Sequence, residues 1–196
     1  MNTPSQDRPG KAKRRILVAA ARLFHQQGFA RTTVRDLAEA VGIQSGSLFH
    51  HFASKEDILF GVMDEIVTEM DRDLAKALAA ATTPRARLRA LIHTQLGFVH
   101  GGTRDAVAVL VHEWQILSPE RQAALLDRRQ RYFDRWHEVL NETRQAGLTG
   151  VEPTVLRQLL HGAMVWSGRW YNPDGPQSLA DLEEAVLAMA LAPAAE

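Results

Sequence analysis

Apolar residues recur every three or four positions along most of the chain, and the breaks between these runs coincide with helix caps. Thr33 followed by Asp36 is an N-terminal capping pattern, and the apolar residues after it continue at helical spacing to Gly42. Ser45 offers the next N-cap, for a second short helix over residues 46–51. Because glycine accepts the left-handed conformation that ends many helices, the chain can turn sharply between the two. The pattern predicts a helix-turn-helix.

Two further helices flank this element. The first begins near Lys11 and is closed at Gly28, and it would cover the two short helices, which cannot bury enough surface alone. Ser54 with Asp57 repeats the capping pattern and starts a long apolar helix that ends near Ala80. Because this long helix begins beside the helix-turn-helix, we expect a shift at its far end to move the helix-turn-helix.

The remainder of the chain has a helical pattern throughout. The segment over residues 104–117 is so apolar that periodicity alone would allow a strand, but nothing else in the chain offers strand partners. The other predicted helices cover residues 84–100, 119–146 and 152–171, with a last one after Ser178. The sequence therefore predicts an all-α fold of about nine helices. It comprises a three-helix helix-turn-helix domain (residues 1–54) and an effector-binding and dimerisation domain (residues 55–196).

The helix over residues 119–146 has an aromatic face and an arginine-rich face. The side chains expected to point inward are Leu125, Leu126, Tyr132, Phe133, Trp136, Val139 and Leu140. The arginines expected to point mostly outward are Arg128, Arg129, Arg131 and Arg135. We interpret this arginine run as a solvated face rather than as a binding site for a ligand phosphate.

Charge is divided unevenly along the chain. The 196 residues have a formal net charge of zero, but residues 1–55 contain nine Lys or Arg against three Asp or Glu, and residues 56–196 contain fourteen against twenty. A basic N-terminal part attracts phosphate and an acidic remainder is repelled by it. The division favours nucleic-acid binding by the N-terminal part.

The second short helix has the two faces that a reader of DNA needs. Leu48 and Phe52 can anchor it, and the major groove of B-DNA accepts such a helix. The side chains left on its other face are small or hydrogen-bonding: Gln44, Ser45, Ser47, His50 and His51. The alternative interpretation is a helical hairpin within an ordinary helical core.

These residues resemble a known family. The run Thr-Val-Arg-Asp-Leu-Ala from Thr33, then Gly42, then Gly-Ser-Leu-Phe-His-His-Phe-Ala-Ser-Lys-Glu from Gly46 closely resembles the N-terminal domain of TetR-family transcriptional regulators. The resemblance implies phosphate contacts by Thr33 and Lys55. It places Ser45, Ser47, Phe49 and His51 in or beside the groove. Arg35, Gln44 and His50 complete the expected DNA-binding set.

Phe49 departs from the family pattern. The family usually has tyrosine at this position, so the phosphate hydrogen bond of that hydroxyl is absent here. The expected role of Phe49 is therefore apolar, such as contact with a thymine methyl group.

The last two predicted helices favour a homodimer. Residues 152–171 are apolar nearly all round, and the last helix has one apolar stripe, so a second subunit would cover the faces left over. The predicted interface residues are Leu159, Trp166, Trp170, Leu179, Leu182, Val186 and Met189. Resemblance to TetR-family dimers implies a two-fold four-helix interface, with two DNA-reading elements that bind a palindromic operator.

A C-terminal segment suggests the effector. Arg-Trp-Tyr-Asn-Pro-Asp-Gly-Pro, from Arg169, is similar to a segment of TetR-family members that control fatty-acid or steroid breakdown, above all actinobacterial repressors of steroid-ring catabolism. Those members bind acyl-CoA thioesters. The residues that suit such a pocket are Arg104, Trp114, Trp136, His161, Trp166 and Arg169. Alternatively, the tryptophans fill the core and this segment only shapes the dimer.

Other function classes lack their sequence signatures. There is no cysteine, no metal-binding spacing, no Gly-rich phosphate loop and no nucleophile elbow, so we expect neither an enzyme nor a bound cofactor. A metal-responsive regulator that uses His93, His100 and His112, or a DNA-binding dimer without a ligand, stays an alternative. No apolar run is long enough to span a membrane, and we expect a cytoplasmic protein. The expected function is a repressor that a small-molecule effector releases from its operator.

Overall fold

The computed structural model describes residues 9–191, and within them the chain forms nine α-helices, one 3-10 turn and no strand. The helices are α1 (Pro9–Gln27), α2 (Val34–Val41), α3 (Ser45–Leu48), α4 (Lys55–Ala80), α5 (Pro84–His100), α6 (Arg104–His112), α7 (Pro119–Gln145), α8 (Pro153–Ser167) and α9 (Leu179–Ala190). A 3-10 turn over Trp114–Ile116 separates α6 from α7. The predicted all-α fold is confirmed.

The chain divides into two compact units. Unit 1 runs to Ile66 and also contains Asp105–Leu125, while unit 2 contains Val67–Arg104 and resumes at Leu126. The division falls within α4 and α7. The domain boundary between residues 54 and 55 stays a prediction.

Unit 1 has an apolar core beneath its two short helices. The helix α2 packs on α1 and on α3, and Leu37 on α2 and Leu48 on α3 are buried. The other buried apolar side chains here include Ile16, Leu17, Ala20, Phe24, Phe52, Ile58, Leu59 and Val62. This shared burial stabilises α2 and α3, because helices of eight and four residues are too short to be stable alone.

In unit 2, α9 packs on α5 and α8. Its buried apolar side chains include Leu74, Leu78, Leu88, Leu91, Ile92, Leu96, Trp136, Val139, Leu140, Leu156, Leu160, Met164, Val186 and Leu187. At the edge of this core the Arg87 guanidinium is 2.7 Å from carboxylate oxygens of both Glu138 and Glu142, which joins α5 to α7. Apolar burial and these ion pairs together fix the helices of unit 2.

Several predicted helix ends are observed, and the C-terminal ends of two long predicted helices are not. The helix predicted over residues 84–100 is confirmed in full, with Thr83 as its N-cap. The prediction of one helix over residues 104–117 was wrong at its end, because α6 stops at His112. Likewise α8 stops at Ser167, where the prediction continued to residue 171.

Leu126 was wrongly predicted to point inward. Its neighbour Leu125 is fully buried, and consecutive residues on an α-helix point about 100° apart, so Leu126 turns away and is 54% exposed.

Candidate nucleic-acid interface and effector site

Reciprocal hydrogen bonds fix the start of α2. The Thr33 hydroxyl accepts from the backbone N–H of Asp36 at 3.1 Å, and the Asp36 carboxylate accepts from the backbone N–H of Thr33 at 2.8 Å. These bonds, the backbone one above all, hold the pKa of Asp36 below its usual value. At the other end Gly42 takes a left-handed conformation with φ of 71°, which turns the chain toward α3.

The structure places α3 one residue earlier than predicted and makes it shorter. We predicted Ser45 as the N-cap of a helix over residues 46–51, but Gln44 takes the extended cap conformation and the α-helix covers Ser45–Leu48. Tight turns continue it, since the N–H groups of His51 and Phe52 both donate to the Leu48 carbonyl, at 2.9 and 3.0 Å. Leu48 and Phe52 are buried, as the anchoring role requires.

The predicted DNA-binding residues all belong to unit 1. The exposed ones are Thr33, Arg35, Gln44, Phe49, His50 and His51, and the half-buried ones are Ser45, Ser47 and Lys55. Phe49 exposes 55% of its surface, whereas most phenylalanine side chains are largely buried. The DNA contacts of these residues stay predictions.

Lys55 has a structural role that the sequence did not reveal. Its ammonium group donates to the carbonyl oxygens of Phe29 and Thr32, both at 2.8 Å, and lies 4.2 Å from the centre of the Phe29 ring. It therefore ties α4 to the loop between α1 and α2. An ammonium group has three protons, so these two hydrogen bonds leave a third one, and the phosphate contact of Lys55 stays a prediction.

Cations also line a groove on α1. The groove has a volume of about 580 Å³, and its lining residues are Lys11, Arg14, Arg15, Val18, Ala19, Arg22, Ala40, Val41 and Asp105. Arg15 donates to the Val41 carbonyl at 3.1 Å, and Arg14 lies 3.4 Å from a Glu65 carboxylate oxygen. The charge asymmetry of the sequence thus becomes a basic surface on unit 1.

Polar contacts join the start of α4 to the start of α7 within unit 1. The Glu56 carboxylate accepts from the backbone N–H of Ser118 at 3.2 Å, and Arg121 donates to the Asp57 carboxylate. Partial burial alone would raise the pKa of Asp57, but hydrogen bonds from Arg121 and Ser54 hold it below its usual value.

The segment before α7 also contacts the loop that follows α1. The Glu113 carboxylate accepts from the backbone N–H of Phe29 at 3.2 Å, and His25 Nδ1 lies 2.7 Å from an Asp105 carboxylate oxygen. Residues 105–121 are therefore attached to α1, to the loop after it and to the start of α4 through several side chains.

Four of the six predicted effector residues form two contacting pairs. Trp136 and His161 meet edge to face in unit 2, with ring centres 5.8 Å apart. Trp166 and Arg169 instead contact each other at an exposed surface, because five residues along α8 turn Trp166 about 140° away from His161.

The remaining two predicted effector residues lie at other elements. Arg104 is exposed at the start of α6, and Trp114 is half-buried in the 3-10 turn of unit 1. Arg104 and Trp114 thus belong to other elements than the two contacting pairs, and the effector roles of all six residues stay predictions.

A buried polar cluster lies beside Trp136. Tyr132, one helical turn earlier, donates its hydroxyl hydrogen to the side-chain oxygen of Gln95. All three side chains are almost fully buried, and burial raises the pKa of Tyr132, which stays a neutral hydroxyl. The Gln95 side-chain nitrogen and the Trp136 indole nitrogen have no hydrogen-bond partner of normal geometry. Each such group costs about 1–3 kcal/mol when it is left unpaired.

Two arginines lie next to this cluster. Arg129 and Arg157 contact the Phe133 ring, with guanidinium carbons 5.2 and 4.8 Å from its centre. His161 contacts the same ring, with ring centres 5.5 Å apart. Burial, and then the charges of the two arginines, lower the pKa of His161 to about 4, so its imidazole is neutral at pH 7.

Sequence reasoning missed Gln95, Arg129, Tyr132 and Arg157 as site residues. Two signals were present. Gln95 is an amide on the apolar face of α5, and the seven-residue spacing of Arg129 and Trp136 places both on one face of α7. The arginine run was expected to point mostly outward as a solvated face, and Arg129 departs from that expectation, because it is half-buried and burial lowers its pKa.

An apolar surface is exposed on α8, on α9 and in the turns after α8. Its most exposed large side chains are Val155, Leu159, Trp166, Trp170 and Met189. Leu179 and Leu182 are half-buried beside them. Val186 was wrongly included in the predicted interface, because α9 packs on α5 and buries it inside its own subunit. The other interface residues stay predictions.

Two of the three histidines proposed as alternative metal ligands contact other side chains. His93 Nδ1 lies 2.8 Å from a Glu183 carboxylate oxygen, and His100 Nε2 lies 2.8 Å from the Ser167 hydroxyl. Within residues 9–191 no group of three side chains could hold a metal ion. In the same part of the chain no helix is both long and apolar enough to cross a membrane.

Two protein-family models match the chain. The model of bacterial regulatory proteins of the tetR family matches residues 16–62, and the tetracyclin repressor-like C-terminal domain model matches residues 81–193. Among curated proteins, the HTH-type transcriptional repressor KstR2 of Rhodococcus jostii is 30% identical over 193 residues, which is 96% of this chain and 94% of that protein.

Two solved structures are similar over nearly the full length. AibR in complex with isovaleryl coenzyme A and operator DNA has a TM-score of 0.84 and 28% identity, over 93% of this chain and all of that one. PfiT, described as a superantigen, has a TM-score of 0.79 and 44% identity, over 93% of this chain and 97% of that one.

Proposed function

Because the chain belongs to the TetR family of bacterial regulatory proteins, we propose that it is a repressor that an acyl-CoA thioester releases from a palindromic operator. One observation supports this most: the chain is similar along 93% of its length to AibR, whose structure holds both isovaleryl coenzyme A and operator DNA. The exposed polar face of α3 and the basic surface of α1 supply the chemistry that DNA binding needs.

The proposed DNA contacts divide into two kinds. Thr33, Arg35 and Lys55 contact phosphates, which positions the helix-turn-helix on the duplex. The groove residues are Gln44, Ser45, Ser47, Phe49, His50 and His51. Gln44 suits an adenine edge and Phe49 a thymine methyl group.

DNA release tests the effector proposal directly. The protein is bound to a fluorescent DNA duplex from the region upstream of its own gene. Acyl-CoA thioesters of increasing acyl-chain length are then added, and fluorescence anisotropy follows the release of the duplex. Coenzyme A alone and the matching free acids serve as controls. We expect release by at least one thioester at micromolar concentration. Tight binding that no thioester weakens would instead support the alternative of a DNA-binding dimer without this ligand.

The homodimer is proposed from the exposed apolar surface of α8 and α9. Leu159 is 60% exposed on α8, and Leu126 is 54% exposed on α7, outside that surface. Leu159→Asp should yield monomers, and the matched Leu126→Asp should not, because only the first places a charge inside the interface. Sedimentation velocity gives the mass of each. A dimer that survives Leu159→Asp would place the interface elsewhere.

We infer further that the chain is not an enzyme, since the relatives that support its function are transcriptional regulators. The half-buried His100 and the Ser167 hydroxyl form a pair that resembles a base and a nucleophile, but Ser167 donates its hydrogen bond to the Met164 carbonyl. Hydrolysis of acyl-CoA thioesters by the purified protein, lost in Ser167→Ala, would contradict this inference.

A further inference from the structure

The buried cluster of Gln95, Tyr132 and Trp136 is incomplete. The indole N–H of Trp136 lies near the Tyr132 hydroxyl, without a hydrogen bond of normal geometry to it. An indole nitrogen only donates, so the missing partner is an acceptor. The Gln95 side-chain oxygen accepts from the Tyr132 hydroxyl, and the Gln95 side-chain nitrogen has no hydrogen-bond partner. Buried polar atoms in folded proteins are rarely left this way, so an additional polar group belongs here.

The charges beside the cluster define the sign of that group. Arg129 and Arg157 contact one phenylalanine ring, and each lowers the pKa of the neighbouring His161. Burial, and then the charge of Arg157, lower the pKa of Arg129, and both guanidinium groups lie over the same Phe133 ring, so two like charges share a partly dehydrated site. A negative group between them would relieve that repulsion and gain charge-assisted hydrogen bonds from both guanidinium groups.

His161 connects the cations to the buried cluster. Its ring contacts both Phe133, which the arginines cover, and Trp136, which belongs to the cluster. Since the His161 imidazole is neutral at pH 7, His161 adds no third positive charge to the two arginines, and an apolar part of a ligand could pack on its ring without burying a charge. A ligand that lies along His161 would therefore reach the arginines and the indole N–H at once.

Resting on the proposed function, we infer that the effector presents an anionic oxygen group to Arg129 and Arg157, with an oxygen acceptor against the indole N–H of Trp136. Carboxylates and phosphates share this chemistry. In an acyl-CoA the group is either a carboxylate on the acyl chain or a phosphate of coenzyme A itself. The two sources predict different ligand preferences.

The test compares thioesters that differ only at the acyl terminus. Isothermal titration calorimetry measures the binding of glutaryl-CoA, pentanoyl-CoA, coenzyme A and glutarate to the wild-type dimer and to variants. Glutaryl-CoA and pentanoyl-CoA have the same number of acyl carbons, and only the first has a terminal carboxylate. Arg129→Gln and Arg157→Gln remove one cation each, Arg157→Lys keeps the charge, and Arg144→Gln removes an exposed arginine from the same helix as Arg129.

If the acyl carboxylate is the bound group, glutaryl-CoA binds about tenfold or more tightly than pentanoyl-CoA, as expected for a charge-assisted hydrogen bond. Arg157→Gln abolishes this preference, Arg157→Lys retains most of it, and Arg144→Gln leaves it unchanged. If a coenzyme A phosphate is the bound group, both thioesters and coenzyme A bind alike, and all lose about tenfold or more in Arg129→Gln and Arg157→Gln. Either pattern supports the anion site.

Equal affinities in wild type, Arg129→Gln and Arg157→Gln would overturn the inference, and so would a wild-type protein that binds none of the four probes. Thermal unfolding shows whether each variant is folded. If a glutamine variant does not fold, Arg157→Lys is compared with wild type instead. If thioesters bind but do not release the operator, the proposed function is contradicted and the anion site is not. If thioesters release the operator equally well from wild type, Arg129→Gln and Arg157→Gln, only the anion site is contradicted.

Discussion

Replacement of Lys55 by methionine tests whether this residue holds unit 1 together as well as contacting DNA. The ammonium group forms two hydrogen bonds of 2.8 Å to the carbonyls of Phe29 and Thr32 and lies over the Phe29 ring. Methionine keeps a similar chain length and removes only the charge and the donors. The substitution therefore leaves two carbonyls of a turn without their donor.

The size of the effect follows from these contacts. A hydrogen bond to a charged group contributes about 1.5–3 kcal/mol, and an exposed cation–π contact about 0.5–1 kcal/mol. Because Lys55 is half-buried and water can replace part of the loss, we expect the free energy of unfolding to fall by about 2–4 kcal/mol. For a chain of this length, that lowers Tm by roughly 5–15 °C.

Lys76 provides a matched control. It is a lysine on the same helix, and it is exposed. Lys76→Met should change the free energy of unfolding by less than about 0.5 kcal/mol. Urea denaturation followed by circular dichroism measures both variants, and equal stabilities of Lys55→Met and Lys76→Met would refute the structural role.

A second measurement isolates the phosphate contact. Affinity for the operator duplex is measured from 50 to 200 mM salt, and each phosphate neutralised on duplex DNA contributes about 0.9 to the slope of log affinity against log salt. If the third proton of Lys55 reaches a phosphate, Lys55→Met flattens the slope by about 0.9 for each bound subunit. A weaker complex with an unchanged slope would show that Lys55 acts on DNA only by holding the loop after α1.

Three further predictions concern single positions. Gly42→Ala should lower the free energy of unfolding by about 1–2 kcal/mol, because alanine is strained at φ of 71°. Gly46 has open space around it and no positive φ, so Gly46→Ala should lower it by less than about 0.5 kcal/mol in the same denaturation experiment. Ser47→Ala should change the ranking of operator variants in a binding-site selection more than mean affinity, and a uniform loss would contradict a base contact. The pKa of His161 is 6.5 in the unfolded chain and about 4 in the folded chain. As pH falls through 6.5 the unfolded chain binds a proton that the folded chain does not, so the folded state becomes less stable. From pH 7 to 5 the loss is about 2 kcal/mol, and His161→Gln should remove it; an identical pH profile in the variant would refute the assignment.

Helix starts were predictable from the sequence because a cap is a local interaction. Thr33 with Asp36 and Ser178 with Asp181 form the reciprocal hydrogen bonds that their spacing indicates. Helical spacing also identified which side of α9 is apolar. It did not show which part of that side α5 would cover, and for that reason Val186 was assigned to the wrong surface.

The candidate effector site was less predictable, because it depends on side chains from three helices. Arginines that recur along α7 look alike in sequence, yet Arg129 is partly dehydrated beside Phe133, while Arg131 is exposed near Asp71. The environment of Gln95 is set by Tyr132, which lies 37 residues away. Such long-range pairing is decided by packing and not by periodicity.

The length of α3 limits how much a single subunit can discriminate. Four residues at 1.5 Å each span about 6 Å, which is less than two steps of the 3.4 Å rise between base pairs. Even with the turn that follows, one subunit would inspect only a few base pairs, and a sequence that short recurs many times by chance in any bacterial chromosome. Operator specificity then depends on the fixed distance between the α3 helices of the two subunits. Mutations that alter this spacing would redirect the protein to other promoters without a change in any base-contacting side chain.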